Sequence, residues 1–259
     1  MDRESNAKQN QILPALAMRD LVVFPRMLIH FDVARIKSIN SIKTALEGDR
    51  KIFLVSQKDV FVENPEFKDV YKVGVVAEIK QIIKTPDNVT RVLVEGLYKA
   101  RLIDLFHIDE NNMNAEIRRI HNTKKYDEED TQIIALVRSV KDVFEEYASV
   151  MPKMPKELIS SVLNENNPEK LFDGITFNIS LSNDDKQSLL EISDISEKLA
   201  LLVTILTNGA DVLALEKQIQ EQVSENIDKN QREYFLREQL KVIQNQLGEN
   251  EESPTNEVY

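Results

Sequence analysis

The chain has 259 residues, 42% hydrophobic and 30% charged, with a formal net charge of −11 and no cysteine. That balance fits a soluble globular protein with one large core or two smaller ones. The negative charge argues against a nucleic-acid surface, which needs Lys and Arg to displace phosphate counterions. The missing thiols exclude disulfides, a cysteine nucleophile and a cysteine-ligated metal.

The N-terminus MDRESNAKQNQ is polar, with neither a secretory apolar core nor an Arg-rich amphipathic pattern. The most apolar stretch, Leu199 to Leu206, is too short to span a bilayer. A cytoplasmic protein with no membrane partner is expected. From residue 11 to about 122 the chain reads as strands: LVVF (21–24), MLIHFDV (27–33), KIFLV (51–55), VGVVAEIKQII (73–83), RVLVE (91–95) and NAEIRRI (114–120). One helix interrupts them, with Ile36, Ile39, Ile42 and Leu46 on one face and Gly48 placed to end it in the left-handed conformation. Thr85-Pro86-Asp87-Asn88 has turn chemistry and predicts a β-hairpin.

Near residue 127 the apolar period changes to 3.6. Ile133, Leu136, Val137, Val140, Phe144 and Tyr147 form one stripe, with Asp127 to Asp130 expected in the first turn, where the helix dipole favours anions. MPKMP (151–155) breaks that helix, and Pro155 can open the next. Ser182 with Asp185, and Asp194 with Glu197, have the spacing of N-terminal caps. Asn208-Gly209 is expected to punctuate, with Asp211 capping the next helix. From Gly209 to Gly248 there is no intervening glycine or proline. A helix of that length is more typical of coiled coils and spacers than of the core of a small domain. Val212, Leu215, Ile219, Val223 and Ile227 make a first stripe; Tyr234, Leu236, Leu240, Ile243 and Leu247 continue it with a slip in phase.

Three ordered segments, LPALAMRDLVVFPRMLIHFDV, YKVGVVAEIKQIIKTPDNVTRVLVEGLYKARL and NQREYFLREQLKVIQNQLGE, resemble the N-terminal region of the Lon family of ATP-dependent bacterial proteases. The likeness runs from about Leu13 to Glu249. It implies an α+β chain with a β-rich, PUA-like N-terminal lobe over 1–122, a helical bundle lobe over 123–208, and a long connector helix plus polar tail over 209–259. It further implies a hexamer, with an ATPase ring and a serine protease domain beyond residue 259, so that ATP and Mg belong to the full-length protein. The fragment alone is expected to be a monomer or dimer, without cofactor and without catalytic residues. A free-standing adaptor whose terminal helix forms a coiled coil is the alternative.

The residues themselves exclude a phosphate-cradling P-loop. The six glycines stand at 48, 74, 96, 174, 209 and 248, and no two are close enough for G-x-x-x-x-G-K-[ST]. His30, His107 and His121 lack the tight spacings of a helical metal or triad site. Recognition by contact remains. A surface for unfolded or misfolded proteins needs accessible apolar side chains, and methionine suits it because its thioether repacks against many shapes. Val23, Phe24, Pro25 and Met27 at a strand break, Ile83 and Pro86 at the hairpin tip, and Met151 with Met154 in the connector are the candidates. For Phe24 and Met27 the competing reading is core packing; for the two connector methionines it is a cover over the end of the bundle. Tyr234, Phe235, Leu236, Leu240, Ile243 and Leu247 are the positions expected at helix contacts between subunits.

Overall fold

The computed structural model describes residues 10–84, 90–109, 112–121, 126–127, 130–151 and 154–248. Six strands come first, β1 (Gln11–Met18), β2 (Leu28–Val33), β3 (Lys51–Ser56), β4 (Val73–Lys84), β5 (Thr90–Asp109) and β6 (Asn112–Arg119), with helix α1 (Ile36–Glu47) between β2 and β3. Five helices come after them: α2 (Thr131–Val150), α3 (Lys156–Asn164), α4 (Pro168–Thr176), α5 (Asn183–Glu191) and α6 (Ile195–Gly248). The fold is α+β.

The sheet closes on itself. Its order is β2-β5-β4-β3-β1-β6, and β6 also pairs with β5. The 20-residue β5 makes closure possible, because its first half pairs with β2 and β4 and its second half with β6. Register shifts between Val76 and Ala77, and between Leu102 and Asp104, mark irregularities of the kind that bends a long strand. β1 changes partner midway: Gln11–Pro14 run antiparallel to β6, and Ala15–Met18 run parallel to β3. Pro14, which has no N–H to donate, stands at that switch.

Alternation along the strands makes two cores. Ala15, Ala17, Phe53, Val55, Val76, Ala100, Leu102 and Ile117 form one cluster. Leu16, Met18, Ile52, Leu54, Val75, Ala77 and Ile79 face the other way and belong to a cluster that continues into the helices through Phe144, Phe172, Leu199 and Leu206. The strand-rich half and the helical half therefore share one hydrophobic core.

Four expectations are corrected. LVVF is not a strand; residues 21–24 are irregular backbone bracketed by left-handed Asp20 (φ 56°) and Arg26 (φ 68°). Gly48 is not left-handed (φ −99°); Arg50 takes that role at φ 62° and its N–H donates to Ala45 O. Asp127 precedes α2 instead of lying in its first turn, and Asp130 is the N-cap, accepting from Gln132 N–H. Asn208-Gly209 does not punctuate, since α6 runs through both for 54 residues, about 80 Å at 1.5 Å per residue. Gly209 serves packing: a Cβ there would stand 3.0 Å from the Tyr147 ring of α2. Ser182 and Asp194 do cap as their spacing predicts, accepting from Asp185 N–H and Ser196 N–H.

Among the described residues one helix, α6, is long and apolar enough by length and composition to cross a membrane. Its apolar first part packs against α2, α4 and α5, with Leu199, Leu202 and Leu206 fully buried. The second part is different. Residues 214–246 are exposed throughout, including the stripe Leu215, Ile219, Val223 and Ile227. Replacing Ile219, Val223 and Ile227 together by glutamine is expected to move the thermal midpoint by no more than about 3 °C, as for surface substitutions in a helix. Leu199→Ala is expected to cost about 2–5 kcal/mol. Thermal unfolding followed by circular dichroism checks both, and a large loss in the triple variant would place that stripe in a packed interface.

Candidate functional site

Segment 21–27 is the dock between the two halves. Phe24, 2% exposed, sets its ring edge-on to Phe172 of α4 (centroids 6.0 Å) and tilted against Phe177 (6.2 Å). Two residues on, Arg26 donates to Glu169 at 2.7 Å and Asp173 at 2.8 Å, carboxylates one helical turn apart on α4. The Arg26 N–H donates to Gly96 O at 2.7 Å, and the Gly96 N–H to Met27 O at 2.9 Å, which pins the segment to β5. Tyr71 adds a tie from the other side, its hydroxyl donating to Asp184 of α5 at 2.7 Å; the bond to that carboxylate pushes the phenol up to about 12.

Beside this dock lies a cleft of about 290 Å³ between the halves, lined by Phe24, Leu97, Tyr98, Lys99, Arg119, Phe172 and Lys198 among others. Lys99, 6% exposed, reaches across from β5 to Leu190 O (3.0 Å), Ile192 O (2.5 Å) and Ser193 Oγ (3.3 Å) at the C-terminal end of α5. Burial, with the charge of Lys198 nearby, pushes its ammonium down to about 8. The unfolded chain holds that proton up to about 10.5, so Lys99 makes folding stability rise with pH between 8 and 10.5. At neutral pH its charge weighs against the fold. Lys198, 5.0 Å from the Phe172 ring centroid, is also lowered by burial, against the pull of Asp173 and Glu169. Arg119 lies over the Tyr98 ring at 4.3 Å.

A second surface is the outward face of the sheet over β2, β5 and β4. Residues directly opposite share a face, so the register sets Leu28 across from Glu95, His30 and Gln81 across from Leu93, and Asp32 and Ile83 across from Arg91. Leu28, Leu93 and Ile83 thus run diagonally over three strands. Leu28 is 62% exposed and Ile83 49%. Ion pairs flank the diagonal: Arg91 forks onto Asp32 at 2.7 and 2.9 Å, and Lys80 bridges Glu78 and Glu95 at 2.8 Å each. A groove of about 470 Å³ beside α1 also contains cations, but Arg19 and Arg35 there donate to the carbonyls of Val62, Glu63 and Ala17 and so clamp the 57–65 loop.

Residues 12–208 match the family model of the ATP-dependent protease La (LON) substrate-binding domain. The chain belongs to the Lon family. It is 40% identical over 254 residues to the Lon protease of Heliobacterium modesticaldum, covering 97% of this chain and 31% of that protein. With the Lon protease of Escherichia coli it shares 38% over 242 residues, 93% of this chain and 30% of that one. The chain thus spans about a third of the length of the curated relatives it matches. The fold is that of Lon N-terminal domains: the one from the Mycobacterium avium complex superposes with a TM-score of 0.60 at 21% identity, over 76% of this chain and 98% of that one. The Xanthomonas campestris domain gives 0.51 at 14%, over 75% and 98%.

Of the residues singled out from this Lon-type sequence, Val23 and Phe24 lie in the core and present no surface. Pro25 and Met27 are half-buried beside them, Met27 against the shared core. Met151 and Met154 are half-buried against the same core. Ile83 is exposed, and Pro86 lies outside the described residues. Tyr234, Phe235, Leu236, Leu240 and Ile243 are all at least half exposed on α6; the Leu247 side chain lies outside the described residues. The sequence reading missed Leu28, Leu93, Lys99 and Lys198. Only the register across β2, β5 and β4 puts the first two beside Ile83, and only the tertiary fold brings the two lysines, from β5 and α6, into one cleft.

Proposed function

We propose that this chain is the substrate-recognition and assembly region of an ATP-dependent Lon-type protease that degrades misfolded and regulatory proteins in the cytoplasm. The observation that carries the reading is the accessible apolar diagonal of Leu28, Leu93 and Ile83 on a sheet face, in a chain of the Lon family. An apolar track rimmed by charge suits extended segments of unfolded protein, because it rewards buried apolar area without reading a fixed sequence. β2 pairs only with β5 among the described residues, so it is also an edge where an extended segment could add.

Assembly falls to the second part of α6. Its exposed Tyr234, Phe235, Leu236, Leu240 and Ile243 suit helix contacts between subunits of a hexamer. The fragment alone is a monomer or dimer, since one stripe of this length must offset the entropy of association. ATP and Mg²⁺ would act in an ATPase region outside these residues. The glycine spacing here does not fit a nucleotide cradle, and no group of three His, Asp or Glu among the described residues could hold a metal.

The test is a double variant, Leu28→Ser with Ile83→Ser, titrated against a fluorescently labelled unfolded protein. Both side chains are exposed, so the variant is expected to fold normally and to bind about tenfold more weakly, the loss for part of two apolar contacts. Unchanged affinity in a folded variant would move recognition off this face.

A further inference from the structure

The cleft between the strand-rich and helical halves is rich in cations. Its lining holds four cations, Arg26, Lys99, Arg119 and Lys198, against two carboxylates, Glu169 and Asp173, a surplus of two positive charges in a chain of net charge −11. Both carboxylates are engaged by Arg26. Among the described residues, none of Lys99, Arg119 and Lys198 has a carboxylate within ion-pair distance. Lys99 is nine-tenths buried, and its ammonium is satisfied only by carbonyls and one hydroxyl. Buried charge without a counter-charge is costly and is commonly kept for a ligand. The neutral walls decide what kind. Half-buried Leu97, Tyr98 and Ile120 add apolar surface beside the cations, and about 290 Å³ is at the lower bound of clefts that hold a small ligand.

We propose that this cleft binds the free C-terminal carboxylate of an unfolded polypeptide that ends in an apolar residue. The assignment rests on the substrate-recognition reading above and adds a chain-end site to it. Lys198 and Arg119, the more open cations, meet the carboxylate. Lys99, its donors committed to α5, supplies field from below. The last side chain lies against Leu97 and Ile120, which are half-buried. An Asp or Glu side chain would bring the charge but leave these walls uncovered, and inorganic phosphate would do the same.

Two labelled peptides, identical except for a free acid or an amide after a C-terminal leucine, test this by anisotropy against the 259-residue chain. The acid is expected to bind at least about tenfold more tightly than the amide. Lys198→Gln combined with Arg119→Gln should bring the ratio near one, the acid losing about tenfold. Equal binding of acid and amide by the unaltered chain overturns the site, as does a preference that survives in the double variant. Displacement of the acid by inorganic phosphate, but not by chloride at equal ionic strength, makes it a phosphate site and overturns the assignment too. If unfolded protein still binds while acid and amide are equal, only the chain-end site falls. If neither unfolded protein nor either peptide binds, the substrate-recognition reading falls with it.

Discussion

Phe24→Ala is expected to destabilise the chain by about 3–5 kcal/mol, the range for deleting a fully buried aromatic ring. The ring is 2% exposed and touches Phe172 and Phe177, so its loss opens a cavity where the strand-rich and helical halves meet. Urea unfolding measures the loss as a lower midpoint at nearly constant slope. A cost below about 1 kcal/mol would mean that the dock is not packed as described. The same position has a practical consequence. A polar substitution at Phe24 would impair any binding simply by loosening the fold, so binding tests belong at Leu28 and Ile83, where the side chains face solvent.

Gly96→Ala is expected to cost at least as much, about 3 kcal/mol or more. The added Cβ would stand 2.1 Å from Phe24 O and 3.2 Å from Pro25 Cα. Those are backbone atoms, held by the reciprocal hydrogen bonds between Gly96 and Arg26–Met27, and no rotamer change relieves them. Overpacking of this kind usually costs about 1–3 kcal/mol, and more where the neighbour cannot move. Gly96 has no left-handed backbone to supply, so space alone demands glycine. Urea unfolding again reads the effect. A midpoint like that of the unaltered chain would show that segment 21–27 can lift from β5 without penalty.

Several features of this fold were legible in the sequence for local reasons. The 3.6-residue stripe of α2 buries Ile133, Val137, Val140, Phe144 and Tyr147 as its spacing predicts. The runs at 51–55 and 73–83 became β3 and β4 nearly residue for residue, because their aliphatic content reports burial directly. LVVF was misread for the same reason. Burial makes it apolar, but its burial is that of an irregular segment wedged between halves, which composition cannot tell from a strand. The second half of β5, GLYKARLIDLFHID, stayed hidden because charged residues interrupt its alternation. Lys99 is the clearest case: a lysine in a strand reads as a solvent-facing position, yet α5 closes over it. Gly209 misled in the other direction, since a glycine that admits Tyr147 and a glycine that ends a helix look alike until the partner helix is in place. The site was legible only at Ile83; its neighbours on the face depend on register.

The central claim is that this chain binds unfolded polypeptide by itself, without nucleotide. One labelled protein, presented in its native and in a permanently unfolded form and titrated with the purified 259-residue chain by fluorescence anisotropy, tests it most directly. The account predicts saturable binding of the unfolded form and none of the native form at the same concentrations. Equal binding of both forms, or of neither, would contradict it and leave these residues a scaffold, with selection made elsewhere.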